Sequence, residues 1–117
     1  MFSNGMNSSY DDFMNKTDHR VRAPMDSLRK FCFSLGSNVV EDVRMHRIVF
    51  CKSFAFRWFV DVEPQNDSVL VKIQMSRSKT QICEIILKED LDGNISWSSQ
   101  QMKVIQEGIR EAYDSIH

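Results

Sequence analysis

Asp61 and Glu63 stand two residues apart in "FRWFVDVE", a run rich in β-branched and aromatic residues, so on a strand both carboxylates point to one face. Paired carboxylates hold a divalent metal or divide general acid and base roles between them. A nuclease-type site also needs Glu-x-Lys on the next strand. Lys72 is there, but the position two before it is Leu70, so a required ligand is missing. His19, His46 and His117 show no metal-ligand spacing, and Cys32, Cys51 and Cys83 contain no C-x-x-C pair. Neither Cys51 nor Cys83 has an evident base to activate it. The glycines are scattered singly, which excludes a phosphate-cradling loop. No catalytic residue, metal site or cofactor is expected, and an enzyme ranks third among the functional readings.

A structural role explains the charges better. If Gln65 to Ser68 form a hairpin loop, Asp61 lies opposite Lys72 on the neighbouring strand. If Ser76 to Thr80 form the next loop, Lys72 also lies opposite Glu84. A lysine between two acids is ordinary cross-strand pairing, worth roughly 0.2–1 kcal/mol per pair.

The elements that position these residues are legible. At 117 residues and 42% hydrophobic content the chain is one domain, with eight Phe, two Trp and two Tyr to build a core. Residues 1–22 are rich in Ser, Asn and Asp and are expected to be a disordered tail, leaving 23–117 as the folded domain. "APMDSLRKFCFSLG" reads as a short amphipathic helix: Leu28, Phe31, Cys32 and Leu35 share a face, with Pro24 in the first turn and Gly36 as the stop. Four strands follow, at 46–53, 56–63, 69–75 and 81–87, and Asp92-Gly93 turns the chain into a short strand at Ile95. Ser98 with Gln101 forms a capping box, after which Met102, Ile105, Ile109, Ala112 and Ile116 trace one helical face. The expected fold class is α+β: an antiparallel β-meander of four to five strands with an N-terminal and a C-terminal helix.

Together "SLRKFCFSLGSNVVEDV", "RIVFCKSFAFRWFVDVEPQNDSVLVKI" and the closing "IREAY" resemble the small domain of unknown function DUF5655, over nearly everything after residue 24. Only part of that family's Gly- and Trp-containing segment before the last helix survives, in "DLDGNISWSS". The resemblance implies the same α+β sandwich. The family is sometimes labelled a predicted transport protein and is found beside nuclease-like domains, neither of which is a mechanism. The architecture also resembles frataxin-like iron chaperones, but the acidic ridge those proteins carry on the first helix is replaced here by the basic "RVRAPMDSLRKF".

Charge and composition narrow the partners. The net charge of −1 conceals a basic segment: residues 19–57 carry +5, residues 58–117 carry −4 and residues 1–18 carry −2. With "KSFAFRWF" interleaving aromatics with Lys52 and Arg57, this leaves nucleic-acid binding as the alternative reading. No signal peptide and no membrane-length apolar run is present, so the expectation is a soluble cytoplasmic protein with no membrane partner.

The leading reading is an interaction module that binds a protein or itself. A two-residue turn at Phe54-Ala55 pairs Phe50 with Phe59 and Ile48 with Asp61. That pairing places Val49, Cys51, Trp58, Val60, Val62, Val69, Val71, Ile73, Cys83 and Ile85 under the helices. It leaves Ile48, Phe50, Phe59, Leu70, Ile82 and Ile86 on the other face, with Arg57, Asp61, Lys72 and Glu84 among them. The expected partner-binding residues are Ile48, Phe50, Lys52, Arg57, Phe59, Lys72 and Ile82. A one-residue slip at the first turn would send Phe50 inward.

Overall fold

The computed structural model describes residues 2–53, 55 and 57–116. Phe54, Phe56 and His117, which entered the sequence reading as a turn residue, an interleaved aromatic and an unpaired histidine, lie outside the described residues. The chain runs α1 (Phe2–Asn15), a 3-10 turn (His19–Val21), α2 (Arg22–Ser34), β1 (Val39–Val43), β2 (Ile48–Lys52), β3 (Arg57–Pro64), β4 (Ser68–Ser76), β5 (Lys79–Ile86), β6 (Lys88–Glu89), β7 (Ile95–Ser96) and α3 (Ser99–Ser115). Strands β1 to β5 form one antiparallel sheet in sequence order, while β6 and β7 form a separate hairpin. The fold is the expected α+β meander, with one strand more than the four read clearly.

Register follows from the turns. Between β3 and β4, Asp61 pairs with Lys72 and Pro64 with Val69, the alignment that a loop from Gln65 to Ser68 requires. The β4–β5 connection is tighter than expected. Ser76 pairs with Lys79, and past a bulge between Gln74 and Ser76 Lys72 lies opposite Ile82, with Glu84 opposite Leu70 instead. A shift of two residues keeps every side chain on its face.

Between β2 and β3 the outcome differs. Lys52 pairs with Arg57 and Cys51 with Trp58, but Phe50 then pairs with Val60 and Ile48 with Val62. One extra residue, Phe59, is bulged out of the ladder between these pairs. Beyond it the two strands slip by one, and a slip of one reverses faces. Ile48, Phe50 and Phe59 therefore turn inward and are 0–1% exposed. Val49, Cys51 and Trp58, expected beneath the helices, turn to the opposite face.

Helices α2 and α3 cover the inward face. Ser98 caps α3 by accepting a hydrogen bond from the Gln101 N–H at 3.1 Å, and Met102, Ile105, Ile109 and Ala112 are buried. In α2, Met25, Leu28 and Cys32 are buried. Gly36 follows α2, yet only Gly93 takes a positive φ, at the β6–β7 turn. Gly36 is required for space instead: an added Cβ would lie 2.2 Å from the Tyr113 hydroxyl. Tyr113 cannot retreat easily. Its hydroxyl donates to Asn38 Oδ1, and Phe59 packs edge-on against its ring with centroids 5.3 Å apart.

The expected N-terminal tail is a packed element. Tyr10, Phe13 and Met14 of α1 and Val21 of the 3-10 turn join the core, and the Tyr10 hydroxyl donates to Asp26 at 2.5 Å. Arg29 lies 4.1 Å over the Tyr10 ring and pairs with Glu41 of β1 through contacts of 2.6 and 3.1 Å. Two aromatics, one methionine and the Arg29 cation over Tyr10 are thus enough to dock a helix whose own sequence is polar.

Two stability measurements follow. Deleting residues 1–20 should lower the melting temperature by more than about 10 °C, since burying each large apolar side chain contributes about 1.5–3 kcal/mol and ~1 kcal/mol moves a domain of this size by ~4–8 °C. An unchanged melt would show that α1 does not dock. Gly36→Ala should cost about 1–3 kcal/mol by overpacking against Tyr113; the check is chemical denaturation, with Gly36→Ala/Tyr113→Phe recovering part of the loss.

Candidate interaction face

The outward face of the sheet carries Val40, Asp42, Val49, Cys51, Trp58, Asp61, Glu63, Leu70, Lys72, Ile82, Glu84 and Ile86. No described helix lies on it. Cross-strand pairing aligns Asp42, Val49, Asp61, Lys72 and Ile82 in a single row across all five strands. The adjacent row holds Glu63, Leu70 and Glu84. Arg47 joins the two rows, placing one guanidinium nitrogen 3.1 Å from Asp61 and the other 3.4 Å from Glu63. Arg44 pairs with Asp42 at 3.0 Å.

Between these groups lies a shallow cleft of about 460 Å³, lined by Arg44, Arg47, Val49, Trp58, Asp61, Lys72, Thr80 and Ile82. Asp61 is 8% exposed; its Oδ2 accepts from Arg47, while Oδ1 is buried without a hydrogen-bond partner. Lys72, its strand neighbour, is half-buried. The close cation on Asp61 is Arg47, not Lys72. Apolar surface continues toward β5, where Ile82 and Ile86 are 65% and 58% exposed, and toward β1, where Val40 is 43% exposed.

Of the seven expected binding residues, only Lys72 and Ile82 stand on this face. Ile48, Phe50 and Phe59 are core, for the bulge reason given above. Lys52 also turns inward: its ammonium donates to the Ile116 carbonyl at 2.7 Å and sits 3.9 Å from the centre of the Tyr113 ring, so it caps the end of α3. Arg57 is half-buried opposite Lys52 at the end of the ladder. The bulge brings Val49, Cys51 and Trp58 to this face in their place, with Val49 3% exposed and Cys51 and Trp58 half-buried. Arg47 was missed because it falls in the short β1–β2 turn, where nothing in the sequence marks its two carboxylate partners.

The basic segment also changes meaning in three dimensions. Arg20 pairs with Asp18, Arg22 with Asp11 and Asp26, Arg29 with Glu41, Arg44 with Asp42, and Arg47 with Asp61 and Glu63. These cations are spent on neighbouring acids and do not gather into one footprint. Among the described residues no group of three His, Cys, Asp or Glu is placed to hold a metal. No described helix is long and apolar enough to cross a membrane.

The thiols report the two faces. Cys32 is fully buried, and desolvation followed by the Glu41 charge pushes its pKa well up. Cys51 is raised by burial first and by Asp42 second, and Cys83 by burial. Compared with family models, curated proteins and solved structures, the chain finds no match.

A thiol reagent applied to the native protein near pH 8 should therefore label Cys51 and Cys83 slowly and leave Cys32 intact until denaturant is added. Raised pKa values mean little thiolate at that pH, so labelling should accelerate as pH rises, by up to about tenfold per unit below the pKa. Labelling of Cys32 ahead of Cys51 would contradict the outward placement of Cys51.

Proposed function

We propose that this chain is a non-enzymatic interaction module that docks a protein partner on the helix-free face of its sheet. The observation that carries the reading is the exposure of Ile82 and Ile86 beside half-buried Leu70, Trp58 and Cys51 on that face. Apolar side chains exposed together and rimmed by polar residues mark interaction sites. The ion pairs around Arg47 fit this role: they keep the face soluble when free and supply a polar rim when it is covered. The DUF5655 resemblance supports the same fold but brings no activity with it. A cytoplasmic location goes with the reading, since all three cysteines are free thiols.

Nucleic-acid binding has less support. Phe50 and Phe59 are core side chains and Lys52 is an internal cap, so of the described aromatics in "KSFAFRWF" only Trp58 is left to stack a base. The outward face carries four carboxylates, Asp42, Asp61, Glu63 and Glu84, against three cations, Arg44, Arg47 and Lys72, which is no attraction for phosphate.

The test compares the native protein with Ile82→Asp/Ile86→Asp as bait for interacting proteins. Both positions are exposed, so the substitutions should change stability by no more than about 0.5 kcal/mol. A protein retained by the native face and lost with the double variant is the expected result. Partners held equally by both baits would place the docking surface elsewhere.

A further inference from the structure

The pattern on the outward face is its own complement, and we infer that its occupant is a second copy of this chain; this rests on the docking reading above. Consider a two-fold axis running along the strands midway between β3 and β4. It sets β3 of one copy over β4 of the other, and β2 over β5. Position along the strands is kept, so the rows defined by the register stay aligned. Lys72 of the second copy then stands over Asp61 and Ile82 over Val49, two side chains already under 10% exposed in the single chain, while Arg47, bonded to Glu63 in the next row, meets Glu84. Each contact occurs twice, as a two-fold interface requires.

Three other axes along the strands do worse. One through β3 stacks Asp61 on Asp61 and Glu63 on Glu63. One through β4 stacks Lys72 on Lys72 and Glu63 on Glu84. One between β2 and β3 matches unlike charges but leaves the exposed Ile82 and Ile86 outside. The β3–β4 axis alone covers Ile82, carries Ile86 toward the β1–β2 turn where Met45 is 85% exposed, and opposes no like charges.

The area sets the strength. Four overlapping strands about 4.8 Å apart, each with about five residues rising ~3.3 Å, present a flat face of roughly 300 Å². Stable complexes use about 800 Å² per partner, so the dimer is weak and concentration-dependent.

Sedimentation equilibrium from about 10 μM to about 1 mM should show reversible dimerisation that weakens with added salt, because the Arg47–Glu84 pairs cross at the exposed edge of the overlap. Glu84→Arg should raise the dissociation constant at least about tenfold by placing two cations together. Ile82→Asp should leave a monomer. Glu84 and Ile82 are exposed, and an unchanged thermal melt confirms that each variant folds. A protein monomeric at every concentration, or a dimer indifferent to Glu84→Arg, overturns the inference. If the chain is monomeric yet captures another protein through an Ile82-dependent contact, the docking face stands and only the second copy is wrong. If neither self-association nor capture responds to Ile82→Asp, both fall.

Discussion

Phe59 occupies one position too many in β3, and the two-layer arrangement depends on where that extra residue goes. A strand alternates strictly, so a bulge forces two consecutive side chains to share a side. Here Phe59 and Val60 both enter the core, and β2 must then present Ile48, Phe50 and Lys52 inward. Had the ladder run unbroken, Phe50 and Phe59 would stand in water and Val49, Cys51 and Trp58 would fill the interior. The bulge exchanges two phenylalanines and an isoleucine for smaller or amphipathic groups. That is the more favourable partition, because burying each large side chain contributes about 1.5–3 kcal/mol.

The inward turn of Lys52 follows from the same event and is made tolerable at one place. An ammonium in the core needs acceptors, and the C-terminal end of α3 offers unsatisfied carbonyls and the negative end of the helix dipole. Tyr113 completes the arrangement: its ring face receives the Lys52 cation, its edge meets Phe59, and its hydroxyl reaches Asn38. Gly36 leaves the room that the hydroxyl needs. Gly36 after the first predicted helix and Tyr113 near the C-terminus thus meet at a packing junction.

Period and turn chemistry made most of the architecture readable. Helical spacing marked α2 and α3, the Gln65–Ser68 loop dictated the β3–β4 register, and Asp92-Gly93 announced the small hairpin. Three features escaped for physical reasons. The helix α1 is polar by composition and docks through only a few large side chains, so no sustained periodicity betrays it. Strand β1 carries Glu41 and Asp42, which read as loop until Arg29 and Arg44 are seen to pair with them. The bulge has no composition signal at all: Phe59 suits either face, and only the competition for the core decides between them.

The charges of β3 and β4 hold the face rather than the fold. Exposed ion pairs contribute about 0–1 kcal/mol each, too little to choose a topology against the burial of a phenylalanine. What they do is forbid alternatives. A sheet face this apolar, without Arg47, Asp61, Glu63, Lys72 and Glu84, would accept any greasy surface in any orientation. With them, a covering surface must bring an acid to Lys72 and Glu84 must find a base, while Ile82 still reaches an apolar position. On the docking reading proposed above, the row from Asp42 to Ile82 would specify what can sit on it, with the exposed apolar members supplying the attraction.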